Sequence, residues 1–471
     1  MPALRRMASV TTLRDALTAS TALSKQEPAK VTPTATTQKQ ITKTKHNLMG
    51  FINIYNRLKG SDLAKDSFWA LFGNFIGKGL SLIAGIAVAR FLGSEVYGEY
   101  GIIKSTLIMI AIFSSFGLGI TATKFIAETK DKNPENLNCL QRVCYIITLI
   151  VSGLIALLVF IFSEPIAEVL EAKHLYSALR ISSIAILFNA LNTTQIGILS
   201  GLKAYKVIAI NNIKIGIVTF VLTILLTLFY DFDGAVIALV ISLGFNCIIN
   251  YLSIKKQIPR SKTRNNKKTF KVLVSFSLPV ALQESLYSIS NWAVSFVLIR
   301  LAGYVELGIY SAATQWMSIV LFVPGALRNV ALSNFASISD DLEKNHRILN
   351  RLLLINFVST FIPFLVIAIL SNWTYLLYGD SYEGLPIVLN ILVFTSVVTS
   401  LSNIYTQELI AKSLNWFLFV SKLIRDIGIV ALTAFLLIYT QEGALVYAIS
   451  MLVFQSFYLL LLHYKYRSSI K

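Results

Sequence analysis

Apolar runs of about 20 residues recur twelve times along this chain, each long enough to cross the roughly 30 Å hydrocarbon core of a bilayer as a helix. They fall near 68–92, 101–122, 142–163, 177–200, 207–229, 234–254, 272–299, 309–332, 349–371, 385–408, 414–438 and 443–463. The runs are continuous rather than alternating and far exceed barrel-strand length, so helices are the spanning structure they predict. With 55% hydrophobic and 14% charged residues and a mean hydropathy of +0.66, 471 residues could not keep their apolar surface from water. The fold class predicted is an all-α polytopic membrane protein.

A net charge of +18 would suit nucleic acid, but its distribution does not. Loops alternate in sign, as the positive-inside rule requires. One side holds Lys124 to Arg142, Lys203, Lys206, the run KKQIPRSKTRNNKKTFK (255–271), Arg328 to Arg351, Lys412 and the Lys465–Lys471 tail. The other holds Glu95, Glu99, Glu164, Glu168, Glu171, Asp231, Asp233, Glu306, Asp380, Glu383 and Glu442, diluted by Lys173 and the helix-end residues Arg90 and Arg300. The pattern predicts both termini in the cytoplasm and an even number of spans. No nucleic acid is expected as a partner; the 255–271 run orients the chain and lies where anionic lipid heads would meet it. Cys139, Cys144 and Cys247 and the four histidines show no metal-ligand spacing, so neither a metal site nor a cofactor is expected. Residues 1–50 are rich in Thr, Ser, Ala, Lys and Arg and lack the apolar segment of a secretory signal. They read as a disordered or misassigned extension, with an organellar transit peptide as the other reading. Residues 51–67 read as an interfacial segment.

GNFIGKG (73–79) imitates a phosphate-binding loop, but three residues instead of four separate Gly73 from Gly77, and Gly79 stands where Ser or Thr is needed. It lies inside the 26-residue apolar run SFWALFGNFIGKGLSLIAGIAVARFL. Lys78 is therefore an intramembrane lysine.

The chain also repeats itself. ARFLGSEVYGEYG (89–101) aligns with IRLAGYVELGIYS (299–311) at a shift of 210, matching Arg90 to Arg300, Gly93 to Gly303, Gly98 to Gly308 and Tyr100 to Tyr310. HLYSAL (174–179) faces DSYEGL (380–385), IKIGIV (213–218) faces RDIGIV (425–430), and DGAVIA (233–238) faces EGALVY (442–447), at shifts of 206 to 212. Two six-helix bundles, 68–254 and 272–471, joined by the basic linker 255–271, follow. Six being even, the bundles are parallel repeats, as in one class of secondary transporter.

A charge at the bilayer centre costs about 2.5–3.5 kcal/mol even on the lenient insertion scale, whereas Lys and Arg near helix ends snorkel. By this measure Arg90, Arg300, Lys104 and Arg180 reach the outer interface. Lys78, Glu284, Arg425 and Asp426 are deep, and Lys214 is intermediate. Asn74, Lys78 and Ser81 share one face of span 1; Glu284, Ser288 and Asn291 occupy the same three positions of span 7. Such stripes predict a shared watery cavity, with spans 2 and 8 contributing Lys104, Ser105, Thr314 and Gln315. Lys78 and Glu284 either line it or bridge the bundles statically. Lys422 and Asp426, four apart, read equally as a neutralising pair.

FWALFGNFIGKGLSLIAGIAVARFLGSEVYGEYGIIKS resembles the first two spans of the polysaccharide transporter (Wzx-type, O-antigen flippase) family, and LLYGDSYEGLPIVLNIL (376–392) resembles its counterpart between spans 9 and 10. That family belongs to the multidrug/oligosaccharidyl-lipid/polysaccharide exporter superfamily. The resemblance implies two pseudo-symmetric six-helix bundles in a V, with spans 1, 2, 7 and 8 around a cavity. It implies flipping of an undecaprenyl-pyrophosphate-linked oligosaccharide across a bacterial or archaeal cytoplasmic membrane, without ATP hydrolysis and without enzymatic chemistry. Asn74, Lys78, Ser81, Lys104, Arg180, Lys214, Glu284, Asn291, Gln315 and Arg425 are then the cavity candidates, and Glu284 and Asp426 the coupling-ion candidates. Partners implied are the lipid-linked substrate, membrane lipids, and polysaccharide polymerase and chain-length proteins. An ion-coupled drug antiporter of the same superfamily is the alternative. A polymerase or ligase would need a large outer loop with catalytic residues, which this chain lacks.

Overall fold

The computed structural model describes residues 62–132, 134–170, 172–258, 266–337, 342–412 and 414–468. The expected extension 1–50 and residues 51–61 of the interfacial segment lie outside the described residues. The described chain from Asp66 onward is one compact unit.

Its helices are α1 (Asp62–Ser115), α2 (Leu118–Lys132), α3 (Leu137–Ile161), α4 (Ser163–Val169), α5 (Tyr176–Gly201) and α6 (Tyr205–Gln257) in the first half. The second half holds α7 (Asn266–Ala302), α8 (Tyr304–Val320), α9 (Phe322–Ser337), α10 (Leu342–Leu370), α11 (Thr374–Tyr378), α12 (Leu385–Ala411), α13 (Asn415–Leu436) and α14 (Gly443–Ser468). By length and composition seven helices could cross a membrane, or eight if the pair Tyr304–Val320 and Phe322–Arg328, bent by 50°, is one span. Two of the seven are really pairs: α1 breaks at Gly93, and α6 at Tyr230 and Asp231. α13 is as long as a span but carries three charges, Lys422, Arg425 and Asp426. With α7, each of the twelve predicted runs then falls on a helix.

Two boundaries differ from the sequence reading. Span 2 does not start at 101 but at Ser94, directly after the break, and it bends at Phe116 and Gly117, whose φ angles are 51° and 65°. The apolar pattern missed this because Ser94, Glu95 and Glu99 are polar residues in a helix that begins at an interface. The basic linker is also shorter than predicted, since α6 runs to Gln257 and α7 begins at Asn266; Lys and Arg extend a helix into water without penalty.

The repeat has a structural signature at its two corners. Gly93 (φ 74°, ψ 171°) and Gly303 (φ 87°, ψ −180°) adopt the same conformation, one essentially closed to any residue with a Cβ. Each turns one span directly into the next. The IGIV match, however, is two residues out of register. On α6 the exposed face is Ile210, Ile217, Val221 and Leu225, and on α13 it is Val420, Ile424, Ile427 and Phe435. These coincide at the common shift of 210, so Ile424, not Asp426, is the counterpart of Lys214.

Burial separates the two ends of the molecule. One large core is shared by both halves, joining Val88, Tyr97 and Tyr100 of α1 to Leu298 of α7, Leu307 of α8 and Tyr378, all near the acidic loops. At the basic end there are two cores. One contains Leu118, Val143 and Ile198 of the first half with Leu273 of α7, and the other Phe335, Leu349, Leu409 and Leu462 of the second half. The halves therefore share their large core at the acidic face, and toward the basic face their cores are separate except where the beginning of α7 packs on the first half. There Ser277 Oγ bonds Thr121 Oγ1 at 2.8 Å and Phe276 meets Phe125 edge-on at 5.5 Å.

A candidate cationic cleft between the halves

The motif GNFIGKG is a packing surface. A Cβ built on Gly73 would lie 2.5 Å from Ala209, and one on Gly77 would lie 3.0 Å from the Asn212 carbonyl. Gly-x-x-x-Gly thus lets α1 press its backbone against α6, as small residues commonly do between membrane helices. Lys78 follows Gly77 by one position and so points about 100° away from α6. Its Nζ lies 5.4 Å from the Phe322 ring centroid at the start of α9, and Phe75 approaches the same ring at 6.3 Å. Seven residues on, Gly85 faces Gln315 of α8. The face carrying Asn74, Lys78, Ser81 and Gly85 therefore confronts the second half. Lys78 and Ser81 are exposed, and the Ser81 hydroxyl donates to the Gly77 carbonyl at 2.9 Å. The Asn74 side chain lies outside the described residues.

Lys104 is deeper than the sequence suggested. It follows the Gly93 turn by eleven residues, about 16 Å at 1.5 Å per residue, against about 22 Å for Lys78 on the other limb. It lies one turn below Gly101, which faces Ser311 of α8. Its side chain is exposed and stands one turn from a close contact between the halves, which places it beside the seam. Among the described residues neither Lys78 nor Lys104 has a carboxylate partner.

The ceiling of the cleft is aromatic and polar. Gln315 donates from Nε2 to Tyr97 Oη, and its own Oε1 is buried with no donor among the described residues. Trp292 Nε1 donates to Thr106 Oγ1 at 3.0 Å, tying α7 to the second limb of α1. Above it, Gly98 backs onto the Tyr304 carbonyl and Gly308 onto the Ser94 carbonyl, the same contact made twice about the pseudo-axis.

Other candidates separate from this cleft. Asn291 lines a distinct cavity of about 130 Å³ inside the second half, with Ser290, Thr399, Arg425, Asp426 and Gln455. There Arg425 donates from Nε to Asp426 Oδ1 at 2.8 Å and from Nη2 to the same oxygen at 2.7 Å, and stacks over Tyr458 at 4.9 Å. The ion pair of Asp426 is with its neighbour Arg425 and not with Lys422, because the guanidinium presents two donors to one oxygen. Arg180 stacks on Phe160 at 4.3 Å on the exposed surface of the first half. Lys214 shares the exposed apolar stripe of Ile210, Ile217 and Val221. Asn192 and Gln195 donate to the Leu243 and Cys247 carbonyls of α6 and turn into their own bundle. The Glu284 side chain lies outside the described residues. Trp292, Phe322 and Tyr97, which complete the walls, were invisible in the sequence because aromatic residues are ordinary in apolar runs; only the Tyr100–Tyr310 match marked the neighbourhood.

Residues 63–325 match the model of a family described as polysaccharide biosynthesis protein. The chain belongs to that family. Within reach of it, an uncharacterized membrane protein of Methanocaldococcus jannaschii is 26% identical over 267 residues, 53% of this chain and 61% of that protein. A Shigella flexneri protein named for O-antigen transport is 23% identical over 331 residues, covering 68% of this chain and 78% of the relative. The match to the archaeal protein thus spans less than two thirds of its length. Among solved structures, the inward-facing conformation of a multidrug resistance MATE family transporter of the MOP superfamily superposes with a TM-score of 0.71 at 17% identity, over 83% of this chain and 94% of the other. That likeness establishes the fold: this family member is a helical membrane protein built like a transporter.

Proposed function

We propose that the protein flips an undecaprenyl-pyrophosphate-linked oligosaccharide from the cytoplasmic to the outer leaflet of a bacterial or archaeal cytoplasmic membrane, by alternating access. The observation carrying this reading is the pair Lys78 and Lys104: both exposed, both without a carboxylate partner among the described residues, and both on α1 beside its contacts with the second half, below the large core that the halves share at the acidic face. Two cationic donors at neighbouring depths suit a pyrophosphate, which needs charge-assisted hydrogen bonds. The polar wall of Ser81 and Gln315 suits the sugar. In this reading the basic face is cytoplasmic, with both termini, and the substrate enters between the separate cores. The cavity of Asn291, Arg425 and Asp426 is the candidate coupling-ion site; Glu284 is a second coupling candidate on the sequence alone. Polymerase and chain-length proteins are the proposed partners downstream.

The likeness to a drug transporter favours a second reading, antiport of an organic cation. Lysines at 78 and 104 without a carboxylate partner among the described residues oppose it, since they repel such a substrate.

The test uses sealed proteoliposomes loaded with a short undecaprenyl-pyrophosphate-linked oligosaccharide and an external glycosidase. Wild-type protein should expose the sugar, and Lys78→Ala and Lys104→Ala should each slow exposure by roughly tenfold or more, the worth of one charge-assisted hydrogen bond. Exposure by the folded variants at the wild-type rate would remove the cationic cleft from the mechanism.

A further inference from the structure

We infer that the turn at 376–382 is a one-sided clasp holding the acidic face closed, and that Tyr382 is the positioning residue that sets the balance between the two access states. This inference does not depend on which substrate is carried.

A helix that stops abruptly leaves carbonyls unsatisfied at its end, and one that starts abruptly leaves amides unsatisfied at its beginning. The Gly93 corner does both within one residue. Both needs are met from the other half of the molecule. Tyr382, only 3% exposed, donates its hydroxyl to the Ala89 carbonyl at 3.0 Å and also lies 3.3 Å from the Gly93 carbonyl. The Ser94 amide, first of the second limb, donates to Ser381 Oγ at 3.2 Å. Arg90 donates to the Leu376 carbonyl. The clasp is in turn fixed to its own half: Tyr378 packs on Tyr382 with centroids 5.2 Å apart and accepts a 2.9 Å hydrogen bond from Trp316 of α8.

The equivalent corner is built differently. The Gly303 amide donates to the Leu298 and Ile299 carbonyls of its own helix, and the turn equated with 376–382 meets this corner through the His174 ring, edge-on to Tyr304 at 6.2 Å, a ring contact where the other corner has a hydroxyl cap. Tyr176, which the repeat equates with Tyr382, is 46% exposed. Backbone and glycines are pseudo-symmetric at this face, but the tyrosine clasp is not. Separating the halves here strips caps from the Gly93 corner through Tyr382, while Tyr176 has no matching buried cap to lose. The hydroxyl of Tyr382 is therefore a weight on one pan of the conformational equilibrium, acting through the corner and touching no substrate.

Spin labels at Glu95→Cys and Val305→Cys, two exposed positions related by the shift of 210, report the separation of the corners. The background has Cys139, Cys144 and Cys247 replaced by alanine, and distances are measured by electron–electron resonance in lipid nanodiscs without substrate. Tyr382→Phe keeps the ring and removes the donor. It should raise the ratio of long to short distances roughly fivefold to tenfold, the worth of one buried hydrogen bond. Ser381→Ala should shift it in the same direction, and Tyr176→Phe should leave it unchanged. An unchanged distribution in a normally melting Tyr382→Phe, or an equal shift in Tyr176→Phe, overturns the clasp. Should Tyr382→Phe fail to fold, Ser381→Ala decides by the same readout. Because no substrate is present, a failed clasp and a failed flippase reading are distinct results.

Discussion

Gly98→Ala should open the acidic face. A Cβ at this position would lie 2.8 Å from the Tyr304 carbonyl carbon and closer still to its oxygen, and 3.2 Å from the Gly308 amide nitrogen. All three neighbours are backbone, so none can rotate away. Carbon atoms sit comfortably at about 3.5 Å or more, so α8 must retreat by at least about 0.7 Å. A gap of that size forfeits roughly a quarter to a half of each contact it opens, and overpacking between rigid segments costs about 1–3 kcal/mol. The cost falls only on the state in which the two corners touch. A central value of about 2 kcal/mol moves the equilibrium roughly 30-fold toward the separated state. Gly308→Ala should do the same, since its Cβ would lie 2.9 Å from the Ser94 carbonyl carbon. The assay is labelling of Ser311→Cys by a membrane-impermeant maleimide in right-side-out vesicles. Ser311 faces Gly101 across the seam and is half-buried there, so separation should raise its labelling rate. Labelling at the parent rate in both alanine variants, with the proteins folded, would refute the claim that this seam is the closed gate.

Asp426→Asn leaves Arg425, with a side chain 16% exposed, without its counter-charge, and should lower the melting temperature in detergent by the equivalent of about 2 kcal/mol. Replacing the pair together, Arg425→Met with Asp426→Leu, should restore most of that loss, which separates a structural cost from loss of a coupling ion. Lys214→Ala, on the apolar stripe of α6, should leave sugar exposure in the proteoliposome assay within about twofold of wild type, because snorkelling charges contribute little. A defect as deep as that of Lys78→Ala would place Lys214 in the transport path after all.

Much of this architecture was legible because membrane helices announce themselves by composition. The helical runs and the Gly93–Gly303 match depend on composition and on backbone needs that only glycine meets. That Lys78 lies within a long helix and not in a phosphate-binding loop was equally legible, since an apolar run continues on both sides of it. Depth at helix ends was not. Lys104 seemed interfacial because Glu95 and Glu99 diluted the first two turns of its helix, and only the Gly93 corner shows where that helix begins. Facing was not legible either. Lys214 and Arg425 share an apolar context with Lys78, but one points with the isoleucines and the other pairs with its own neighbour. A match of four letters, IGIV, outweighed a register that burial contradicts. The clasp could not be read at all, because Tyr176 and Tyr382 look equivalent until their partners are known.

The glycine seam has a consequence for ancestry. Gly98 meets the carbonyl at 304 and Gly308 the carbonyl at 94, so each half offers the same patch to the other. Such a contact is isologous, the kind a two-fold homodimer makes with itself. A single six-helix chain bearing this corner could have closed the gate with a second copy of itself, before duplication placed both copies on one polypeptide. Once the copies were joined, each was free to change alone, and a tyrosine on one side could become a cap while its twin remained in solvent.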